Sequence, residues 1–408
     1  MSVVFRSKDS GAPGSSVGKA ALVCGCGEQL VESDERLDRR WRRGGLEATL
    51  ALRDLAGDRV AVTMLAPEAE FVYRPMRVRE PFGFSEARRY SLEEFASETG
   101  AELIHDSFKW LDPERRTVHT ETGQQLSYDA LLLAMGARLH PRFKHALTLD
   151  DRRLDEQLHG LLQDVEGGYL HSLAFLIPHP MPWPLPVYEL ALMIAGRAQD
   201  MNVDLSITIA TPEDAPLAVL GAPVSEAVQS LLERNGILTI TSAHCEVPEP
   251  GRVSIHPGER RLHVERIVAA PQLFGPSTSG VPKDAPEGFI PVDVHCMVRN
   301  LDRVWAAGDA TNFAVKLGGI AAQQADTAAE AIAALAGAEV EPKPFHPMIH
   351  AILLSGDHPL YLSAQITGGH GSGSEISDTP TWSPATKIAA RYLAPYLDAR
   401  DRVSSSNS

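Results

Sequence analysis

The sequence has few cysteines and no long apolar run. Only four of its 408 residues are cysteine, which is too few for a disulfide framework. No stretch approaches the roughly 20 consecutive apolar residues that span a bilayer. Residues 1–18 also lack the uninterrupted apolar core of a secretion signal, and we expect them to be a disordered leader. Together these absences predict a cytoplasmic protein.

Positive charge is scarce as well. The chain has 38 Lys and Arg against 53 Asp and Glu, a formal net charge of -15. This balance argues against a nucleic-acid partner and against a strongly basic membrane-binding face. The 44% hydrophobic content is enough for real cores, and the length predicts two or three domains. Small molecules are therefore the expected ligands.

The first chemical motif is a glycine turn that an insertion divides. "KAALVCG" fits a buried strand, "GGLEATLALRDLAGD" a helix and "RVAVTMLAPE" a second strand, which is the order of a βαβ unit. Without residues 28–42, the turn between the first strand and the helix fits G-x-G-x-x-G through Gly25, Gly27, Gly44 and Gly45. Such glycines let the backbone approach a pyrophosphate at a helix N-terminus. The insertion mixes acids and arginines and is expected to be a surface loop, at a closure cost of about 1–2 kcal/mol.

Two further stretches carry a family resemblance. "LDRVWAAGDATN" is a strand running into Gly308 and Asp309, and it resembles the second FAD motif of flavoproteins with two dinucleotide-binding domains. "SYDALLLAMGARLHP" resembles the short strand and A-x-G turn, here ending at Gly136, that lead to the second nucleotide domain of those proteins. Over residues 19–365 the chain thus resembles the pyridine nucleotide-disulfide oxidoreductase superfamily, in the branch of type II NADH dehydrogenases and sulfide:quinone reductases.

The resemblance implies FAD as the cofactor, extended between the first glycine turn and Asp309. "VKLGGIAAQQADTAAEAIAA" resembles the helix beside the flavin ring, which implies that Gly318, Gly319 and Ile320 lie near the ring and that Lys316 contacts flavin or acceptor. A helix N-terminus there would favour negative charge on the flavin. Ala66 occupies the usual position of the acid that binds the adenosine ribose. Glu68 is the substitute candidate, and an exposed glutamate in a turn is the alternative interpretation.

The second domain lacks the expected glycines. Residues 173–211 again have βαβ order, but the turn after the first strand is "HPMPWPLP", with four prolines and Trp183. Prolines remove amide donors and Trp183 adds bulk, so conventional NAD(P)H binding is doubtful.

Glu189 lies near the position of a glutamate in related enzymes, and we expect it to face solvent. Cys245 and Cys296 belong to no C-x-x-C pair, and we expect inert, buried thiols.

The C-terminal region is expected to contain a hairpin, a flexible loop and a helix. The hairpin turns around residues 356–357, "TGGHGSGSEISDTP" is the Gly/Ser-rich loop, and residues 384–401 form the helix. Ile388, Tyr392 and Tyr396 make an apolar stripe at helical spacing. The stripe either docks on the body, pairs two subunits, or rests on a membrane with Lys387, Arg391 and Arg400 towards the headgroups. Docking or dimerisation is favoured over peripheral membrane contact.

We therefore predict an α/β protein with two doubly wound Rossmann-like domains and a small C-terminal hairpin-and-helix appendage. The predicted division is a leader (1–18), the first part of the FAD domain (19–150), a degenerate NAD-type domain (151–290), the second part of the FAD domain (291–340) and a C-terminal region (341–408). The predicted function is FAD-dependent two-electron transfer between small molecules, with a quinone-like acceptor. The alternatives are NAD(P)H-dependent flavin reduction with nonstandard nucleotide binding, and a degenerate flavoprotein with a non-enzymatic binding role. The sequence identifies no catalytic residue and no metal site.

Overall fold

The structure, a computed structural model, describes residues 2–7, 43–83, 87–150, 154–181, 183–284, 286–356, 358–367 and 370–406. The first half of the predicted glycine turn, with Gly25 and Gly27, lies outside the described residues. So does the predicted insertion at residues 28–42.

The described residues form α-helices and many short strands. The helices are α1 (Arg43–Ala56), α2 (Leu92–Thr99), α3 (Leu154–Glu166), α4 (Leu185–Asp200), α5 (Ala222–Arg234), α6 (Gly318–Leu335) and α7 (Leu393–Ser406). The strands are β1 (Ser2–Ser7), β2 (Val60–Leu65), β3 (Glu70–Val72), β4 (Arg89–Ser91), β5 (Glu102–Ile104), β6 (Phe108–Asp112), β7 (Thr117–Thr120), β8 (Gln125–Ser127), β9 (Ala130–Leu133), β10 (Arg138–His140), β11 (Leu147–Thr148), β12 (Ser172–Leu176), β13 (Ser206–Ala210), β14 (Ile237–Ile240), β15 (His244–Glu249), β16 (Arg252–His256), β17 (Arg260–His263), β18 (Arg266–Ala269), β19 (Gln272–Phe274), β20 (Val304–Ala306), β21 (Met348–Leu353), β22 (Leu360–Thr367) and β23 (His370–Ser377). The predicted α/β class is confirmed.

One five-stranded sheet has the order β20-β9-β1-β2-β5. Its outer pairs are parallel, β20 with β9 and β2 with β5, while β1 runs antiparallel to both of its neighbours. Helices α1 and α6 pack closely against each other. They can do so because α6 buries mainly alanine and glycine, whose small side chains let the two helices approach.

The prediction of a disordered leader is wrong for residues 2–7. These residues form β1, the central strand of that sheet, in register from Ser2 opposite Leu65 to Ser7 opposite Val60. The segment "SVVFRS" contains two valines and a phenylalanine, which favour strands. The prediction of disorder was based on the composition of residues 1–18 as a whole. That composition is mostly set by the Gly- and Ser-rich residues after Ser7, so it did not reveal the short apolar segment before them.

The second five-stranded sheet has the order β11-β18-β12-β13-β14 and is parallel throughout. Its succession β12, α4, β13 agrees with the βαβ order predicted for this part of the chain. Buried apolar residues make up most of β12 and β13, which is typical of strands covered on both faces.

The C-terminal region differs from expectation at two points. The predicted hairpin is present as antiparallel β21 and β22, but the expected flexible loop contributes a third strand, β23. The last helix begins at Leu393 rather than near residue 384, which places Pro395 in its first turn. A proline is tolerated there because the first amides of a helix have no partner within it.

The C-terminal region also joins the two main hydrophobic cores. Leu353, Leu362 and Ala364 of its sheet pack into the core around the second five-stranded sheet. Ile388, Leu393 and Leu397 pack into the core around the first. The apolar stripe thus docks on the body of the protein.

Among the described residues, no helix combines the length and the apolar character that crossing a membrane requires.

Candidate functional site

The centre of the candidate site is the carboxyl edge of β9 and β20. Because these strands are neighbouring and parallel, the turns that follow them, residues 134–136 and 307–309, emerge side by side. Gly136 and Gly308 have φ angles of 74° and 78°, a left-handed conformation that favours glycine. A Cβ atom on Gly308 would lie 3.1 Å from the Cβ of Ala321 in α6.

The start of α1 lies against both turns. A Cβ atom on Gly44 would lie 3.4 Å from the Cβ of Ala307 and 3.6 Å from the Cβ of Ala134. Gly45 is buried beside it and its carbonyl accepts a hydrogen bond from the Thr49 hydroxyl at 2.9 Å. The small residues at this junction bring the amide end of α1 to the sheet edge, which is the arrangement that a G-x-x-G segment provides.

Asp309 is buried at this edge with 2% of its surface exposed. Sequence reasoning missed the residue that holds its turn, Gln324 of α6, whose side-chain oxygen accepts the Gly308 amide at 2.8 Å. The side-chain amide of Gln324 also donates to the Thr311 hydroxyl at 3.3 Å. Helix α6 therefore holds the turn around Asp309 in place through the side chain of Gln324.

Lys316 lies close to Asp309 and is almost fully buried. Its ammonium donates to the Thr311 carbonyl and sits 4.0 Å from the centre of the Phe289 ring. Burial lowers the pKa of Lys316 to about 8, and the negative charge of Asp309 opposes that shift. The predicted residues that follow, Gly318, Gly319 and Ile320, form the buried first turn of α6.

Glu68 follows β2 along the chain, and both of its carboxylate oxygens are buried. Ala66, at the usual position of the ribose-binding acid, donates its amide to the Ile104 carbonyl at 2.9 Å. The ribose role of Glu68 stays a prediction.

An inner cavity of about 140 Å³ borders the second core, with Ile388 of the first core on its wall. Most of its wall is apolar and buried, with Trp183, Leu190 and Ile352 from one side and Leu317 from the start of α6. The charged residues on its wall are Arg77, Glu189, Asp309, Lys316 and Lys387. Asp309 and Lys316 thus face a largely apolar chamber.

The expectation that Glu189 faces solvent is wrong. Its side chain is 1% exposed and forms an ion pair with Lys387 at 2.6 Å. It also accepts the Leu354 amide at 3.0 Å. Burial raises the pKa of Glu189 and lowers that of Lys387, while the attraction between the two charges opposes both shifts. Sequence reasoning could not find this pair because its members are 198 residues apart.

Lys387 is consequently not available to lipid headgroups, as one of the sequence interpretations required. Arg400 is also engaged within the chain, in an ion pair with Glu98 at 2.6 Å. Both observations weaken the membrane-surface interpretation of the last helix.

The proline-rich turn leads into α4 without a phosphate-sized glycine loop. Trp183 is 8% exposed and packs into the second core, and α4 begins at Leu185 after Pro184. The acid that follows β13 is Glu213, and its carboxylate already has partners within the chain. It accepts the Tyr188 hydroxyl at 2.7 Å and the Thr211 hydroxyl at 2.9 Å. Its place after the second strand of a βαβ unit was a signal that sequence reasoning overlooked.

The two described cysteines have the properties of inert thiols. Burial raises the pKa of Cys245 to about 12 and also raises that of the buried Cys296. Neither forms a disulfide. Because the thiolate is the reactive form, neither is suited to attack a substrate at neutral pH.

The described residues fit an extended dinucleotide. Glycines in the left-handed conformation, together with alanines, keep the edge of the sheet free of large side chains. Helix α1 directs its first amides to that edge, and the buried carboxylate of Asp309 lies at the end of β20. These are the features through which such sites hold a diphosphate and the polyol chain beside it.

Solved structures share this architecture. The sulfide:quinone oxidoreductase from the hyperthermophilic bacterium Aquifex aeolicus matches 93% of this chain and 89% of its own at 16% identity, with a TM-score of 0.72. This match shows a shared α/β fold, and the predicted division into two doubly wound domains stays a prediction. A ferredoxin reductase from Rhodopseudomonas palustris matches 79% of this chain and 80% of its own at 17% identity, with a TM-score of 0.60. A chain of the covalent putidaredoxin reductase-putidaredoxin complex matches 84% and 80% at 16% identity, with a TM-score of 0.57.

The pyridine nucleotide-disulfide oxidoreductase resemblance therefore holds at the level of the fold. No protein-family model matches the sequence.

Proposed function

We propose that this chain is an FAD-dependent oxidoreductase that carries out two-electron transfer with a quinone-like acceptor. The observation that carries the proposal is the convergence of the Gly308-Asp309 turn, the Gly136 turn and the amide end of α1 at one sheet edge. The fold shared with reductases supports it.

Each predicted site residue has a role in this proposal. Gly44, Gly45 and Gly308 offer close backbone approach to the diphosphate. The same role for Gly25 and Gly27, which lie outside the described residues, stays a prediction from the sequence. Asp309 accepts hydrogen bonds from the polyol chain, Glu68 binds the adenosine ribose, and Gly136 gives the β9 turn its conformation. The start of α6 faces the flavin ring in this proposal, through Gly318, Gly319 and Ile320. Bound FAD supplies the two-electron chemistry.

Lys316 is positioned to act electrostatically. Its ammonium, over the Phe289 ring and within the electrostatic influence of Asp309, places a positive charge beside the start of α6. A buried cation and a helix N-terminus reinforce each other in a medium of low dielectric. We propose that together they stabilise negative charge that develops at this end of the inner cavity.

The acceptor is proposed from the chemistry of the inner cavity. Its wall is mainly apolar, with Trp183 and Met181 among the lining residues, and such walls bind flat apolar molecules. The name of the Aquifex aeolicus enzyme includes a quinone, which supports the same class. The raised thiol pKa values do not support sulfide oxidation by Cys245 or Cys296. The two reductase neighbours make a small redox protein the second candidate partner.

NAD(P)H as donor is the weaker alternative. Binding in the usual pose needs free amides at the start of α4 and a free acid after β13. At the start of α4, prolines and the buried Trp183 stand where free amides would be needed. After β13, the acid is Glu213, whose carboxylate already accepts the Tyr188 hydroxyl. The division into FAD-type and degenerate NAD-type domains, the cytoplasmic location and the homodimer stay predictions.

The decisive experiment is the visible absorption spectrum of the purified protein without oxygen, before and after addition of NADH. We expect a flavin spectrum that stays oxidised with NADH and bleaches with dithionite. Bleaching by NADH would favour the nonstandard nucleotide pose. A colourless protein that takes up no added FAD would leave the non-enzymatic binding role in its place.

A further inference from the structure

The segment Thr386–Asp401, here called the strap, forms a wall shared by two cavities. Ile388 borders both the inner cavity and an outer cavity of about 330 Å³. Lys387 borders the inner cavity, and Leu393 and Leu397 border the outer one. A displacement of the strap would therefore change both cavities at once.

Glu47 of α1 anchors the middle of the strap. Its side chain is fully buried, and its two carboxylate oxygens accept the Tyr392 amide at 2.8 Å and the Leu393 amide at 2.6 Å. These amides lie at the start of α7, where a helix has no internal partners for them. The anchor thus satisfies the helix terminus and places negative charge at its favourable end.

A second carboxyl group, Asp326 of α6, lies against Glu47. The two side chains share a hydrogen bond, which requires a proton on one of them. Asp326 Oδ1 is buried and has no hydrogen-bond partner among the described residues. Burial, followed by the charge of Glu47, raises the pKa of Asp326 well above its ordinary 3.8. The two carboxyl groups therefore hold one proton between them.

Three other groups, Arg391, Glu330 and Tyr392, lie near this pair, and Asp54 contacts Tyr392. Arg391 of the strap lowers the pKa of Asp326, and Glu330, one turn further along α6, raises it. Tyr392 and Asp54 are joined by a hydrogen bond of 3.1 Å between the Tyr392 hydroxyl and the Asp54 carboxylate. Among these, Arg391 is the single cation, and its residue is exposed. The pair is consequently not neutralised by a buried positive charge.

We propose that Glu47 and Asp326 form a proton-dependent latch that holds the strap over the inner cavity and releases it when the pair loses its shared proton. The proposal rests on the proposed function only in regarding the inner cavity as the reaction chamber. Two buried carboxylates in contact repel each other, and release of the strap from Glu47 lets water solvate both charges while α1 and α6 stay packed.

The sign of the pH effect follows from the raised pKa of Asp326. The latched state binds one proton more than the released state between the ordinary aspartate pKa and the raised one. Latching is therefore complete at low pH and weakens as pH rises through this window, by up to about tenfold per pH unit for one proton. The opposite slope would require a lowered pKa.

The test is hydrogen exchange of the backbone amides of residues 391–400 other than Pro395, in the full chain, from about pH 4, near the ordinary aspartate pKa, to about pH 9, corrected for the intrinsic exchange rate. We expect the protection factors of the wild type to fall by more than tenfold across this range. In Asp326→Asn, which keeps a hydrogen-bond donor to Glu47 and cannot ionise, they should change less than twofold. Asp200→Asn, the same substitution at an exposed aspartate of α4, is the matched control and should keep the pH dependence.

A wild type with constant protection, or an Asp326→Asn variant that loses protection as the wild type does, would overturn the latch. Circular dichroism of each variant confirms folding, and Glu47→Gln supplies a second variant that should also flatten the profile if Asp326→Asn fails to fold. Exchange requires no flavin, so the latch is tested whether or not the protein binds FAD. The proposed function fails separately, through absence of flavin uptake.

Discussion

The Lys387 ammonium donates hydrogen bonds to both carboxylate oxygens of Glu189, at 2.6 and 2.8 Å. Their side chains are 7% and 1% exposed, and the pair joins α4 to the C-terminal strap. A buried ion pair contributes little net stability over an apolar replacement, but breaking it leaves one charge without compensation. The pair is therefore a strong constraint on where the strap lies.

Lys387→Met should lower the free energy of unfolding by about 3–5 kcal/mol, because Glu189 would stay buried without its partner. Urea denaturation measures this change. The double variant Glu189→Leu/Lys387→Met should recover most of the loss. The exposed pair of Arg402 and Asp398 supplies the control, since Arg402→Met should cost less than about 1 kcal/mol. An equal effect of the two single substitutions would contradict the buried constraint.

Asp309→Ala should weaken FAD retention by about tenfold or more, because a hydrogen bond to a charged group contributes about 1.5–3 kcal/mol. Flavin absorbance per protein after gel filtration gives the measurement. Asp302→Ala is the matched control, since Asp302 lies nearby in sequence but pairs with Arg116 on the surface, at 2.7 Å. Unchanged flavin content in Asp309→Ala would remove Asp309 from the site.

Gly308→Ala should destabilise the protein by more than the roughly 1–2 kcal/mol that a left-handed alanine costs alone. The excess arises because its Cβ would lie 3.1 Å from the Cβ of Ala321. Gly123→Ala isolates the conformational cost, because Gly123 has a φ of 89° and open space around it. Gly196→Ala, within α4 and also in open space, should stabilise by up to about 1 kcal/mol. Thermal unfolding of all three tests this order.

Tyr188→Phe should cost about 1–3 kcal/mol, because it removes a hydrogen bond from the buried Glu213 carboxylate. The pKa of Glu213 is already raised by burial, and the Tyr188 hydroxyl bond lowers it, so the variant should raise it further. The stability of the variant should consequently fall by a larger total amount than that of the wild type, and up to a higher pH, as pH rises above the ordinary glutamate range.

Denaturant midpoints at several pH values measure that difference. Tyr169→Phe, at a side chain 80% exposed, is the control and should change nothing. Titration with NADH should still show no bleaching in Tyr188→Phe, because the prolines and Trp183 stay in place.

The local elements that form the site were predictable. The helix that begins near Gly44 ends where predicted, at Gly57, whose φ of 53° suits a helix stop. The strands that precede Gly136 and Asp309 are apolar and short, as read from the sequence. These features depend on residues close along the chain, and hydrophobic periodicity reports them directly.

Other features depend on distant residues and were missed or misjudged. The pairing of Ser2–Ser7 between two later strands is an example, as is the strand at His370–Ser377 in a Gly- and Ser-rich segment. A strand of low intrinsic propensity forms when a neighbouring edge offers hydrogen bonds, and no local pattern shows that edge.

By itself, the sequence determined the α/β class, the helix that begins near Gly44 and the strand that runs into the Gly308-Asp309 motif. Glycine conformations and apolar spacing are local properties, so the chain carries them without reference to its final shape. The tertiary structure alone decided that Glu189 meets Lys387, that Glu213 accepts the Tyr188 hydroxyl, and that Glu47 binds two strap amides beside Asp326. Burial and the approach of distant charges set the protonation of those groups, and both arise only when the whole chain has packed.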